Sequence, residues 1–148
     1  MPSSARISNN EIVTALRRRQ DDSRGSRNWI DLYASTDNGA TWQHRSKVAD
    51  TGQGNGNPPA MVRLRDTRIV VTYGYRSKPY GMRARISRDN GKTWGREIVL
   101  RDDGAGADLG YSRSVQRRDG KVITIYYYST AANPEQYIAA TIWDTNAI

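Results

Sequence analysis

The chain has 148 residues, a formal net charge of +8 and no cysteine. That length accommodates one domain with its own core. The missing cysteines exclude disulfide scaffolds, thiolate zinc sites and cysteine nucleophiles, and no apolar run reaches the ~18 residues of a membrane span. His44 is the sole histidine, which excludes a multi-histidine metal centre, and the residues imply neither a metal nor a cofactor. Most of the positive charge is arginine, the lysines being only Lys47, Lys78, Lys92 and Lys121. Arginine suits bidentate recognition of carboxylate or phosphate, so the charge points to an anionic partner.

In chain order, a short strand is expected at about 3–8, before the turn signal Asn9-Asn10 and a second strand at 11–18. Asn10-Glu11 followed by Ile12, Ala15 and Leu16 could also start an amphipathic helix. Strand is preferred because the same pattern returns twice without helical spacing. Strands follow at 29–35 and 43–48, with Ser35-Thr36-Asp37-Asn38-Gly39-Ala40-Thr41-Trp42 between them. The next group has strands at 60–65, 68–75, 81–87 and 95–100, with a hairpin signal at Asp66-Thr67 and the string Ser87-Arg88-Asp89-Asn90-Gly91-Lys92-Thr93-Trp94. A third group has strands at 112–118, 121–128 and 137–143, a hairpin signal at Asp119-Gly120, and a degenerate string Trp143-Asp144-Thr145-Asn146. The β-branched and aromatic runs bounded by Asp, Asn and Gly are strand chemistry.

The two complete strings share Ser-x-Asp-Asn-Gly-x-Thr-Trp and lie 52 residues apart. A repeat of this period indicates stacked four-stranded units. Within each string Asp can bond nearby N–H groups and Gly tolerates positive φ, so Ser35, Asp37, Gly39, Trp42 and Ser87, Asp89, Gly91, Trp94 are read as structural. An EF-hand reading fails because the position-12 Glu and the flanking helices are missing.

These strings resemble the Asp-box, or bacterial neuraminidase repeat, of sialidases and related six-bladed β-propellers. The resemblance runs from about Ser3 to Trp143. It implies an all-β fold of about three four-stranded antiparallel blades, half of a six-bladed sialidase-like propeller and matching its C-terminal half. The expected arrangement is a single partial propeller domain with blades at about 3–48, 59–100 and 111–148. The last outer strand is missing, so a second copy or a missing N-terminal half is expected to complete the ring, three blades being too few to close one. The beginning Met1-Pro2-Ser3-Ser4-Ala5-Arg6 lacks the apolar core of a signal peptide, although the family it resembles is often secreted or periplasmic.

In such a fold one channel end is lined by the loops joining the second to the third strand and the fourth to the next first strand. Here those loops hold Arg17-Arg18-Arg19-Gln20-Asp21-Asp22, Tyr75-Arg76-Ser77-Lys78, and residues 129–136, 49–58 and 101–110. Family sialidases hold the substrate carboxylate with three Arg and use a Tyr nucleophile paired with a Glu, and an Asp acid/base. The resemblance suggests Arg17, or Arg19, and Arg76 as substrate-binding residues. It suggests Tyr111, in Gly110-Tyr111-Ser112, as the catalytic nucleophile, with Arg113 beside it as a substrate contact. Arginine forks pair bidentately with a carboxylate. A phenol of pKa near 10 needs a base or cationic surroundings to attack, and the family Tyr departs from the two-carboxylate pattern.

The family acid/base Asp and first Arg have no counterpart here. Met1-Pro2-Ser3 carries no carboxylate where the Glu partner is expected, and Glu11 lies across the hairpin. The expectation is therefore a sialidase-like fragment, hydrolysing a terminal acidic sugar only when completed. The alternative is a non-catalytic carbohydrate- or polyanion-binding module. Nucleic acid is disfavoured, because pairs such as Arg63/Arg65 and Arg83/Arg85 are spread over the strands and form no stripe with stacking aromatics.

Overall fold

The computed structural model describes residues 1–23 and 25–147. Among the described residues the chain is all-β, with no helix. The first sheet has the order β1 (Ser3–Arg6), β2 (Ile12–Asp22), β3 (Gly25–Ser35) and β4 (Gln43–Gly52). The second repeats it with β5 (Ala60–Arg63), β6 (Ile69–Tyr75), β7 (Gly81–Ser87) and β8 (Ile98–Arg101). The third has three strands, β9 (Gly110–Gln116), β10 (Val122–Tyr128) and β11 (Tyr137–Trp143). All pairings are antiparallel. This is the expected succession of blades, and residues 12–16 are strand and not helix.

Three differences from the sequence reading have physical causes. First, β2 runs on through Arg19–Asp22, beyond the strand expected at 11–18 and into residues expected as loop. The β2–β3 register runs unbroken from Ile12 opposite Ser35 to Asp22 opposite Gly25, held near its end by Arg27 bonding Gln20 and pairing with Asp22. Second, β4 continues to Gly52, with register shifts along its pairing with β3 that let it bend. Third, β8 starts at Ile98 and not at 95, because the Gly95 N–H turns back to the Ile86 carbonyl.

Strand alternation decides how the sheets stack. The front face of the first sheet, with Val13, Ala15, Ile30 and Leu32, packs on the back face of the second, with Met61, Ile69, Val71 and Tyr73. The front face of the second, with Val70, Ala84 and Met82, packs on the back face of the third through Val122, Trp143, Tyr126 and Tyr128. The Thr72 hydroxyl bonds those of Ser112 and Ser114 across that second contact. The inner strands lie side by side, β1 against β5 and β5 against β9.

Both Asp-box strings fold alike. The Ser35 hydroxyl donates to Asp37 at 2.7 Å and accepts the Gly39 N–H at 2.7 Å; Asp37 also accepts the Thr41 N–H at 2.9 Å and the Thr41 hydroxyl at 2.6 Å. Ser87, Asp89, Gly91 and Thr93 make the same set. The second box also clamps two sheets together. Arg45 and Ser46 of β4 donate to the Asn90 and Gly91 carbonyls, and the Trp94 indole N–H donates to Ser46 at 3.0 Å.

Candidate functional site

At the end of the sheets where β2, β6 and β9 meet the connecting loops lies an open cleft of about 310 Å³. It is lined by Arg17, Arg18, Arg19, Asn55, Arg76 and Tyr111. The structure thus brings together four residues singled out from the sequence, Arg17, Arg19, Arg76 and Tyr111. It leaves Arg113 outside this lining: its guanidinium turns back to the Ser112 carbonyl at 3.0 Å on the exposed face of β9. Among the described residues lining the cleft none is a carboxylate.

Each wall is held differently. Arg17 makes no hydrogen bond or ion pair with the described residues and stands exposed at the cleft. Arg19 is already engaged. Its guanidinium donates to Asp21 at 2.8 Å, to Asn55 at 2.6 Å and to Ser26 at 3.0 Å. The Ser26 hydroxyl, first, and then Arg19 hold the Asp21 carboxyl below the usual carboxylate range. Arg18 turns to the back of the first sheet, where it donates to the Tyr33 hydroxyl and faces Asp31, itself beside His44. His44 of β4 thus lies beside Asp31 and edge-on to Tyr33 of β3.

Arg76 is positioned by its neighbours on both sides. Its backbone N–H donates to the Thr51 carbonyl at 2.9 Å, tying it to the end of β4. Its guanidinium donates to the Leu109 carbonyl at 3.2 Å and to the Tyr127 hydroxyl at 3.3 Å, and lies 6.0 Å from the Tyr111 ring centroid. The Nε–H is buried with no partner among the described residues. Such groups are rare in folded proteins.

Tyr111 sits in a turn that few side chains adopt. Its φ is +48° and that of Gly110 is +113°. Asn57, fully buried, fixes this turn by donating to the Leu109 carbonyl at 2.7 Å and accepting the Tyr111 N–H at 3.3 Å. A Cβ on Gly110 would stand 2.2 Å from the Asn57 amide, and one on Gly74 would stand 2.7 Å from it. Glycine is therefore required at both places. The Tyr111 ring is 44% exposed, and its hydroxyl makes no bond with the described residues. Beside it, Tyr127 donates to Asp108 at 2.6 Å. Burial, then the Asp108 hydrogen bond, pushes the Tyr127 phenol up to about 12.

Asn55, Asn57 and Asp108 were not singled out as binding or positioning groups. Their one signal is the run Gly52-Gln53-Gly54-Asn55-Gly56-Asn57-Pro58-Pro59, whose glycines suit close backbone approach.

The cleft thus stands on three antiparallel sheets, two of which carry an Asp-box turn. The BNR repeat-like domain matches residues 1–124, and this chain belongs to that family. No curated protein matches the chain. Among solved structures, the GH93 α-L-arabinofuranosidase of Fusarium graminearum in complex with arabinobiose is 19% identical at a TM-score of 0.64, covering 95% of this chain and 45% of that one. The Hadza microbial sialidase Hz136 is 18% identical at 0.63, covering 95% of this chain and 34% of that one. A fucose lectin from Kordia zhangzhouensis, solved with methyl-fucoside, is 13% identical at 0.63, covering 98% of this chain and 93% of that one. The chain thus spans less than half the length of the two enzymes and nearly all of the lectin chain. These likenesses show the fold.

Proposed function

We propose that this chain binds the acidic end of a glycan in the Arg17–Arg76–Tyr111 cleft. The observation that carries the reading is the lining itself: the guanidinium groups of Arg17, Arg19 and Arg76 with Asn55 and Tyr111, and no carboxylate among the lining residues, Arg18 turning its own guanidinium to the back of the sheet. A guanidinium cluster of this kind favours a carboxylate-bearing sugar, pairing fork to fork. The exposed Tyr111 ring offers a flat surface for the sugar and its hydroxyl a further hydrogen bond. Among the described residues Arg17 has no partner, Arg76 is held by its neighbours, and Arg19 holds the rim through Asn55.

A second reading, sialidase-like hydrolysis of a terminal acidic sugar, is favoured by Tyr111 alone. It lines the cleft, its hydroxyl has no partner among the described residues, and the Arg76 guanidinium stands 6.0 Å from its ring centroid. The acid/base and the base for Tyr111 must then come from outside this chain, from a second copy or from an N-terminal half.

One experiment separates the readings. A fluorogenic sialoside, a hydrolysis-resistant S-linked methyl thiosialoside and a neutral methyl galactoside are offered to the chain. Binding without turnover supports the first reading. Turnover lost in Tyr111→Phe supports the second, and binding of neutral and acidic sugars with equal affinity contradicts both.

A further inference from the structure

The repeat makes the sheets' faces comparable position by position. Val13, Val70 and Ile123 occupy equivalent places on the front faces of β2, β6 and β10, as do Ala15, Thr72 and Ile125. Ile12, Ile69 and Val122 are equivalent on the back faces. Both contacts between sheets in the chain are front on back. Two faces are left over: the back of the first sheet and the front of the third.

The open front is largely apolar, with exposed Arg113 on β9 standing opposite Ile125 as a charged residue among its apolar ones. Its exposed positions include Val115 on β9, Ile125 on β10, and Ile138 and Ile142 on β11, with Ile138 75% exposed. Folded monomers rarely leave contiguous apolar patches beyond a few hundred Å², and larger ones mark interaction sites. The open back carries Ile12, Thr14, Leu16, Trp29 and Tyr33, all half-buried at the surface of a single sheet. The first Asp-box is open on the same side. Trp94 of the second box rests on β4 of the preceding sheet. Trp42, its equivalent, has no sheet packed on it among the described residues, is 42% exposed and donates there to its own turn at Gly39.

We propose that a second copy of this chain covers both faces, the front of its third sheet on the back of the first, and the reverse. The contact is the front-on-back packing already made twice in each chain. Made twice more about a two-fold axis it closes a ring of six sheets, with both leftover faces buried. The occupant is a second copy because the face that fits an open front is an open back, and this chain carries one of each. Trp42 of each copy then gains the neighbouring sheet that Trp94 already has. This inference stands on the sheet faces and not on the sugar reading, so a chain that pairs but binds no sialoside separates the two.

Sedimentation velocity of the full chain across a concentration series tests it, with three variants beside the wild type. Ile125→Arg blocks the front and Leu16→Glu blocks the back. Ile138→Arg, at the most exposed position, repeats the front test where misfolding is least at issue, and far-UV circular dichroism checks each fold. The wild type is expected as a pair of chains. Each variant weakens pairing roughly 30-fold or more, as for a buried hot spot. Mixing Ile125→Arg with Leu16→Glu restores pairing, because one contact is intact and the other sets the introduced positive charge against the introduced negative one. A wild type that stays a single chain overturns the proposal. So does Leu16→Glu pairing like the wild type, which means front-on-front packing, or a mixture that stays monomeric.

Discussion

The side-chain oxygen of Asn57 accepts the backbone N–H of Tyr111 at 3.3 Å, while its amide holds the Leu109 carbonyl at 2.7 Å. One buried amide from the first interblade loop thereby sets the left-handed turn that aims Tyr111 into the cleft. Asn57→Ala removes both bonds and leaves the Tyr111 N–H unpaired. The expected loss is about 1–3 kcal/mol, or roughly 2–10 °C in melting temperature for a chain of this size. Thermal unfolding by circular dichroism measures it. An unchanged melting temperature would show that the turn does not depend on Asn57.

The second Asp-box clamps two sheets, so its tryptophan should matter to the whole fold. Trp94 packs against the first core and bonds Ser46. Trp94→Ala is expected to destabilise the chain by about 3 kcal/mol, read from a urea unfolding curve. Ser46→Ala removes only the indole's acceptor and the Gly91 bond, with about 1 kcal/mol expected.

Acid should loosen the same boxes in a defined window. Ser35, first, and then Thr41 hold the Asp37 carboxyl down to about 2, and Thr93, first, and then Ser87 do so for Asp89. A depressed folded pKa stabilises above the unfolded value near 3.8 and loses that effect as pH falls through the folded one. Melting temperature should therefore fall between pH 4 and about 2. In the double variant Asp37→Asn, Asp89→Asn that fall should shrink. An identical fall in the variant would assign acid sensitivity to other groups.

The arginines of the cleft should not be interchangeable. Arg76→Ala is expected to weaken binding of a methyl sialoside about 10- to 100-fold, the range of charged hydrogen bonds. Arg76→Lys keeps the charge but loses the fork, and about a tenfold loss remains expected. Arg17→Ala should weaken binding less, because the exposed side chain is screened by salt. Arg113→Ala, outside the cleft lining, should leave affinity unchanged. Isothermal titration of the four variants orders them.

The repeat made the blade succession legible, because two Asp-boxes and three strand pairs agree in spacing and so override the helix-like start at Asn10-Glu11. The cleft was half legible. Arg17, Arg76 and Tyr111 sit on or beside strands whose place the repeat sets. The long β2–β3 hairpin was hidden because Arg19–Asp22 is polar throughout and reads as loop; its pairing comes from partners across the turn, Arg27 and Ser26. Asn57 was illegible for a different reason. Its partners lie 52 and 54 residues away, and no local pattern announces such bonds. Arg113 adjoins Tyr111 in sequence, but its guanidinium turns back to the Ser112 carbonyl and stays out of the cleft lining.

The central claim is that the arginine cleft takes the acidic end of a glycan. Titration of a methyl sialoside into the isotopically labelled chain, followed by amide chemical shifts, tests it most directly. The account predicts saturable shifts at Arg17, Arg18, Arg19, Asn55, Arg76 and Tyr111, and none with the uncharged methyl ester of the same sugar. Shifts confined to other surfaces, or equal shifts with the ester, would contradict it.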